Sequence, residues 1–229
     1  YDVLFQMMFA IITPALITGA FVERFKFSTY LIFTIIWITV VYAPVAHWVW
    51  GGGWIGADGA GALDFAGGTV IHINAGAAAV AAALIIGKRA NPGLQPNNVP
   101  FVVLGASILW FGWFGFNGGS ALAANDFAVN AMLVTQIAAG TAATVWGLIG
   151  LFATKKISAV GVATGAVAGL VAITPAAGVV NPLGAIAIGF GAGVICYYAV
   201  EFIHRTNLDD ALDVFAVHGV GGIWGCIAA

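Results

Sequence analysis

Long apolar runs dominate the chain, each near twenty residues and separated by short polar or glycine-rich connections. They cover roughly 3–22, 28–46, 64–87, 101–123, 128–153, 158–178, 183–203 and 213 to the end. A helix that crosses a bilayer core needs about 20 mostly apolar residues, so the pattern predicts eight spanning helices. The runs are continuous, unlike the short alternating strands of a transmembrane barrel. The breaks carry Gly51-Gly52-Gly53, Asn91-Pro92-Gly93 with Pro96, Asn125-Asp126 and Asn181-Pro182. None is long enough to mark a second domain, so residues 1–229 are expected to form one all-α, polytopic membrane unit. Tyr1 opens almost inside an apolar run and Ala229 closes inside another, so the sequence is expected to be part of a longer protein.

Composition excludes the soluble classes. The chain is 62% hydrophobic and carries 7 basic and 9 acidic residues, where a soluble domain of its length would carry about 57 charges. A net charge of −2 and the lack of a basic stripe argue against nucleic acid. The placement of the charges then orients the helices. Arg24, Lys26, Lys88, Arg89, Lys155, Lys156 and Arg205 all follow the first, third, fifth or seventh run, and the alternate connections have no Lys or Arg. The positive-inside rule reads this as alternating crossings, with the first running outside to inside. Glycine, at 32 residues, predicts close helix packing in lipid. Gly161, Gly165 and Gly169 and the pair Gly189 and Gly193 supply small-residue faces. Pro14, Pro44 and Pro175 are expected to kink or end helices. Cys196 and Cys226 form no ligand or redox motif.

A few polar groups lie deeper than the charges. His72 stands eight residues after Asp64, about 12 Å below the outer edge at 1.5 Å per residue. His218 stands eight or nine residues after Asp209-Asp210, about 12–14 Å above the inner edge. These depths sum to about 25 Å of a core roughly 30 Å thick, so both histidines reach the midplane. An ionisable residue there marks a functional site by default, and histidine suits proton handling. The competing reading is helix glue, each ring satisfied by a backbone carbonyl. A paired haem ligation is a third, and His47 and His204 read as interface residues. Asp64 reads either as an N-cap or as an acid that draws a cation to the outer mouth, and Asp213 as its inner counterpart. Trp48, Trp50 and Trp54, with Phe5, Phe9, Phe114, Phe116 and Ser120, gather toward the outer side. They form either an aromatic belt or a vestibule in which ring faces hold a cation at about 0.5–2 kcal/mol. No nucleophile triad or metal-ligand cluster points to an enzyme, no cofactor is implied, and Lys26, Lys88, Lys155 and Lys156 all lie at helix ends, away from any retinal-like position.

Four stretches resemble the signatures of the ammonium transporter family (Amt/Mep/Rh). They are Leu63-Asp64-Phe65-Ala66-Gly67-Gly68-Thr69-Val70-Ile71-His72-Ile73-Asn74-Ala75-Gly76, Ala46-His47-Trp48-Val49-Trp50-Gly51-Gly52-Gly53, Gly112-Trp113-Phe114-Gly115-Phe116-Asn117-Gly118-Gly119-Ser120 and Asp213-Val214-Phe215-Ala216-Val217-His218-Gly219-Val220. The resemblance covers essentially the whole chain and favours the Amt/Mep branch. It implies an eleven-span fold with inverted five-helix repeats, of which this chain holds the third to tenth spans. It implies an outer ammonium site of Trp50, Ser120 and Phe9, and a phenylalanine gate of Phe9 and Phe116 with Phe5 one turn above. It further implies twin pore histidines, His72 and His218, with Asp64 shaping the outer site. The connection at 56–61 is about two residues longer than in the familiar bacterial form. The function implied is ammonium recruitment, deprotonation and ammonia conduction across the plasma membrane by a homotrimer, with a PII-type cytoplasmic regulator in many prokaryotic members. A sensor on the same fold is the alternative.

Overall fold

The apolar runs fold as helices throughout the computed structural model, which describes residues 1–93 and 95–229. The α-helices are α1 (Asp2–Ile17), α2 (Phe27–Trp37), α3 (Ala43–Trp50), α4 (Asn74–Ile86), α5 (Val99–Trp113), α6 (Asp126–Thr154), α7 (Ala159–Ile173), α8 (Pro182–His204) and α9 (Val220–Ala228). Their starts follow capping chemistry. Asn98, Asn125, Ser158 and Asn181 accept from the backbone N–H groups of Phe101, Ala128, Gly161 and Gly184, which satisfies donors that the first turn leaves free. The α1 helix runs through Pro14 and tightens into a 3₁₀ turn at Thr18–Ala20.

Among the described residues, six helical stretches are long and apolar enough to cross a bilayer, and two apolar helices are shorter. The span expected at 158–178 is one of the short ones. Its helix ends at Ile173, because Pro175 just beyond has no N–H to continue the i→i−4 ladder and its ring crowds the preceding turn. At 1.5 Å per residue, α7 is about 22 Å long, short of a core of roughly 30 Å. The crossing continues as turns over 174–179 whose Thr174, Ala176 and Ala177 are fully buried. Non-helical backbone is tolerated at membrane depth when protein covers it.

Four π-helical stretches interrupt the α-helices among the described residues: Ile38–Tyr42, Gly68–Ile73, Phe114–Gly118 and Phe215–Gly219. Sequence spacing gave no sign of them. They carry His72, Phe116 and His218, in keeping with the tendency of π-turns to sit at functional sites.

Packing falls into two groups joined at a seam. Phe9, Ile17, Phe21, Trp37 and Ala79 form one core from α1 to α4. The α7 and α8 helices both pack on α6 through the small residues expected to do so. A methyl placed on Gly165 or Gly169 would strike Trp146 or the Ala138 carbonyl, and one on Gly189 would strike Ala138. At the seam, the chain around α4 and the chain around α9 run antiparallel, with Thr69 against Cys226, His72 against Gly222, and Gly76 against Gly219. A Cβ on Gly76 would lie 2.5 Å from the Gly219 Cα, so the two backbones touch with nothing between them.

The inner ends of both groups are tied by one buried carboxylate. Asp209 accepts from the Arg89 backbone N–H at 2.7 Å and from its guanidinium at 2.9–3.1 Å. Arg24 reaches the Asp209 carbonyl at 2.9 Å and also bonds the carbonyls of Ala20 and Gly87. Burial pushes the Asp209 carboxyl up, but the bonds from Arg89 and the charge of Arg24 outweigh it and hold it below 3.8. A folded-state value below the unfolded one gives stability that is present at neutral pH and lost as pH falls through the folded value. Asp209→Asn is therefore expected to lower stability at pH 7 by about 3 kcal/mol, since it leaves two buried cations uncompensated, and to flatten the acid limb of a melting profile in detergent. An unaltered acid limb would overturn this account of Asp209.

Candidate functional site

The outer end is built around Asp64, 8% exposed just ahead of the π-stretch Gly68–Ile73. Its carboxylate accepts from the backbone N–H groups of Gly67 (2.8 Å), Gly68 (2.5 Å), Thr69 (2.8 Å) and Val70 (3.2 Å). That gathers the donors a helix start leaves free and places a negative charge at its positive pole. Gly67 turns the chain into this cradle at φ 115, a region that suits glycine. The Asp64 carbonyl accepts from the Trp50 indole N–H at 2.8 Å, which fixes the Trp50 ring at the end of α3. The N-cap reading of Asp64 is thus what the geometry displays.

From Trp50 an unbroken line of rings leads inward. Phe9, 2% exposed, meets Trp50 edge-on at 5.6 Å and Phe116 at 4.8 Å, and Phe5 meets Phe9 at 4.8 Å from the outer side. Ser120 stands one turn beyond Phe116 and donates its hydroxyl to the Phe116 carbonyl at 2.8 Å, so its remaining lone pair is free to accept. Phe5 packs against Gly119 beside it. Phe114, expected among these rings, is half-buried and outside this line. Trp48 turns instead to Trp54, at 6.0 Å.

Below Phe116 lie the histidines. His72 is fully buried and His218 is 8% exposed, and their Nδ1 atoms are 3.1 Å apart. The bond requires one Nδ1–H and one bare Nδ1, so the two rings share a single proton there. This overturns the helix-glue reading for His72 and His218: each ring is held by the other. It leaves no room for an iron between them. Among the described residues, His72 Nε2 is buried without a partner and remains available to a small solute. On the inner side, His218 borders a cavity of about 290 Å³ lined by Phe101, Val102, Thr164 and Leu212. These four residues also line a larger inner cavity of about 660 Å³ that holds Asp213, His204, Glu23 and Arg89.

Asp213 is not the inner counterpart of Asp64. It adopts a left-handed backbone at φ 55 and accepts from His204 Nε2 at 2.7 Å, so His204 is also more than an interface residue. The counterpart is Asp210, whose Oδ2 accepts from the Phe215 N–H at 2.8 Å at the start of the π-stretch that carries His218. The signal was in the numbering: Asp210 precedes His218 by eight residues, as Asp64 precedes His72. A second group missed by sequence reading is Trp113, 2% exposed, whose ring lies flat on His72 at 5.4 Å and 12°. Its position one helical turn before Phe116 was the available clue. Among the described residues no cluster of three or more His, Cys, Asp or Glu could hold a metal.

With this geometry in hand, three comparisons place the chain among known proteins. The profile of the Ammonium Transporter Family matches residues 1–229. The ammonium transporter Amt1 of Archaeoglobus fulgidus is 52% identical, covering 98% of this chain and 58% of that protein. An ammonium transporter of Aquifex aeolicus is 56% identical, covering 99% and 53%. Among solved structures, Mep2 of Candida albicans superposes with a TM-score of 0.91 at 44% identity, covering 96% of this chain and 50% of that one. A structure described as a sensor Amt protein gives a TM-score of 0.90 at 38% identity, covering 97% and 58%. The chain spans about half the length of the curated relatives it matches.

Proposed function

This chain belongs to the ammonium transporter family, and from that premise we propose that it is the pore-bearing part of a protein that moves ammonium nitrogen across the plasma membrane. Trp50, Phe9 and the free lone pair of Ser120 form the outer site, where ring faces and a hydroxyl hold a desolvated cation. Phe5, Phe9 and Phe116 form the gate beneath it, with Asp64 supplying negative charge to the mouth. The ion gives up its proton there, neutral ammonia passes His72 and His218 into the inner cavities, and the proton follows by way of the shared His72–His218 bond to protonate it again, so that net charge crosses. Asp213 with His204 lines the inner exit. The protein works as a transporter, not an enzyme, without a cofactor, as a homotrimer under a PII-type cytoplasmic regulator.

The observation that carries this reading is the histidine pair, bonded nitrogen to nitrogen at 3.1 Å beneath a closed line of rings. A bare ion would lose many kcal/mol of hydration on such a path. Potassium matches ammonium in charge and nearly in size but has no proton to leave behind, so a path for the neutral species discriminates by chemistry. The resemblance to the sensor Amt structure supports a second reading, in which the same pore reports ammonium to a signalling domain.

The test uses the full-length protein in proteoliposomes on a solid-supported membrane. Ammonium pulses are expected to evoke saturable currents, and potassium pulses none. Uptake without current would leave conduction electroneutral. Neither uptake nor current, with ammonium binding retained, would favour the sensor.

A further inference from the structure

His72 is the most enclosed polar ring of the seam, yet among the described residues only one hydrogen bond holds it, the Nδ1 contact with His218, while its Nε2 has no partner among them. One bond through an edge atom fixes a distance but leaves the tilt of the ring free. The tilt is set by stacking. Trp113 covers His72 at 5.4 Å and 12°, and Phe116 at 5.8 Å and 16°. Phe116 is half-exposed to the outer line of rings, whereas Trp113 is buried and anchored.

The anchor has a fixed polarity. The Trp113 Nε1–H donates to Thr174 Oγ1 at 2.9 Å, and the Thr174 hydroxyl donates in turn to the Leu170 carbonyl at 2.8 Å. Thr174 is fully buried where α7 ends ahead of Pro175. A buried indole N–H needs a partner, and this hydroxyl can only accept from it, since its own proton is committed. Main chain of α7, Thr174, Trp113, His72 and His218 thus form one sequence of contacts from a helix end to the shared proton.

We propose that Trp113 is a positioning residue for the histidine pair, and that the Trp113–Thr174 bond sets the tilt of His72 at which its Nδ1 meets that of His218. This rests on the transport reading above. Trp113 touches neither the cation at the outer site nor the proton between the rings. Its effect is expected on the conduction step and on histidine proton sharing, not on capture of ammonium at Trp50.

Two single substitutions separate this from simple packing, in the full-length protein in proteoliposomes. Trp113→Phe keeps an aromatic face over His72 and removes the N–H. Thr174→Val keeps the shape of the residue and removes the acceptor. Each is expected to lower the maximal ammonium flux per reconstituted protein by roughly tenfold, short of the ~100-fold that misplacing a working group by about 1 Å can cost, with the half-saturating concentration unchanged. The double variant is expected to be no worse than either single one, and Thr174→Ser, which keeps the hydroxyl, is expected to restore the flux. The ¹⁵N shift of the shared Nδ1 in solid-state spectra is expected to move in both variants and to return in Thr174→Ser. Wild-type flux with an unmoved Nδ1 signal in Trp113→Phe would overturn the proposal, as would additive losses in the double variant. If Thr174→Val fails to assemble, Trp113→Phe and Thr174→Ser decide it alone. A wild-type protein that carries no ammonium would defeat the transport reading instead, because the Nδ1 signal would still report on the tilt.

Discussion

Replacing His72 or His218 with alanine in the full-length protein is expected to let potassium through. Each ring is buried in the seam, and His72 has no exposed surface at all. Deleting an imidazole opens room for about two waters at ~30 Å³ each, next to the ring of the surviving histidine. A cation that had to be stripped bare can then keep part of its shell, and every 1.4 kcal/mol recovered is a factor of ten in permeation. Potassium permeation relative to ammonium is expected to rise by at least ~tenfold on this scale, with potassium-evoked currents appearing where the wild type has none. Both single variants should behave alike, since either removes the bond at 3.1 Å. A ratio unchanged in both would remove the histidines from selectivity.

The second large effect is expected at Asp64, and it is one of stability. Asp64→Ala strands four backbone donors, those of Gly67, Gly68, Thr69 and Val70, at a site 8% exposed. A buried donor left unmade costs about 1–3 kcal/mol. Water entering from the mouth recovers some of that, so a net loss of about 4 kcal/mol is expected, at the upper end for single substitutions. Asp64→Asn keeps one acceptor oxygen and should lose about half as much. Amide exchange at 67–70 should accelerate in both variants while that of α6 stays slow. The half-saturating ammonium concentration should rise as well, because the Trp50 indole is fixed by the Asp64 carbonyl. Unaltered melting and exchange in Asp64→Ala would show that the cradle does not hold this end of the helix.

What the sequence made legible was what bilayer physics makes loud. Continuous apolar runs, basic residues on alternate connections and small-residue faces located the helices and the packing of α7 and α8 on α6. The depth of His72 and His218 brought them to one level, and they are bonded there. What stayed silent depended on a single residue or a tertiary partner. The early end of α7 hangs on Pro175, which the sequence marked as a kink or a stop without deciding between them, because the apolar run continues to 178. Asp210 and Asp213 are three residues apart, and only the left-handed turn at Asp213 decides which of them faces the helix start. Nothing in the composition around Trp113 sets it apart from other aromatics, since its flat contact with His72 is made across the fold. The π-stretches were illegible because they alter the count of residues per turn without altering hydropathy.

Those π-stretches bear on how such a site persists through descent. A π-turn holds one residue more than the α-turn it replaces, so it behaves as a single-residue insertion kept in place beside each histidine. A lineage that deletes that residue would keep a well-formed apolar helix, with nothing in its hydropathy to mark the change. Yet everything on one side of the deletion would swing by about 100° relative to the other, and the histidine would turn from its partner toward a neighbouring helix. For this chain, a gap inside 68–73 or 215–219 in a relative is the mark of a pore that has changed its chemistry, even where both histidines still align.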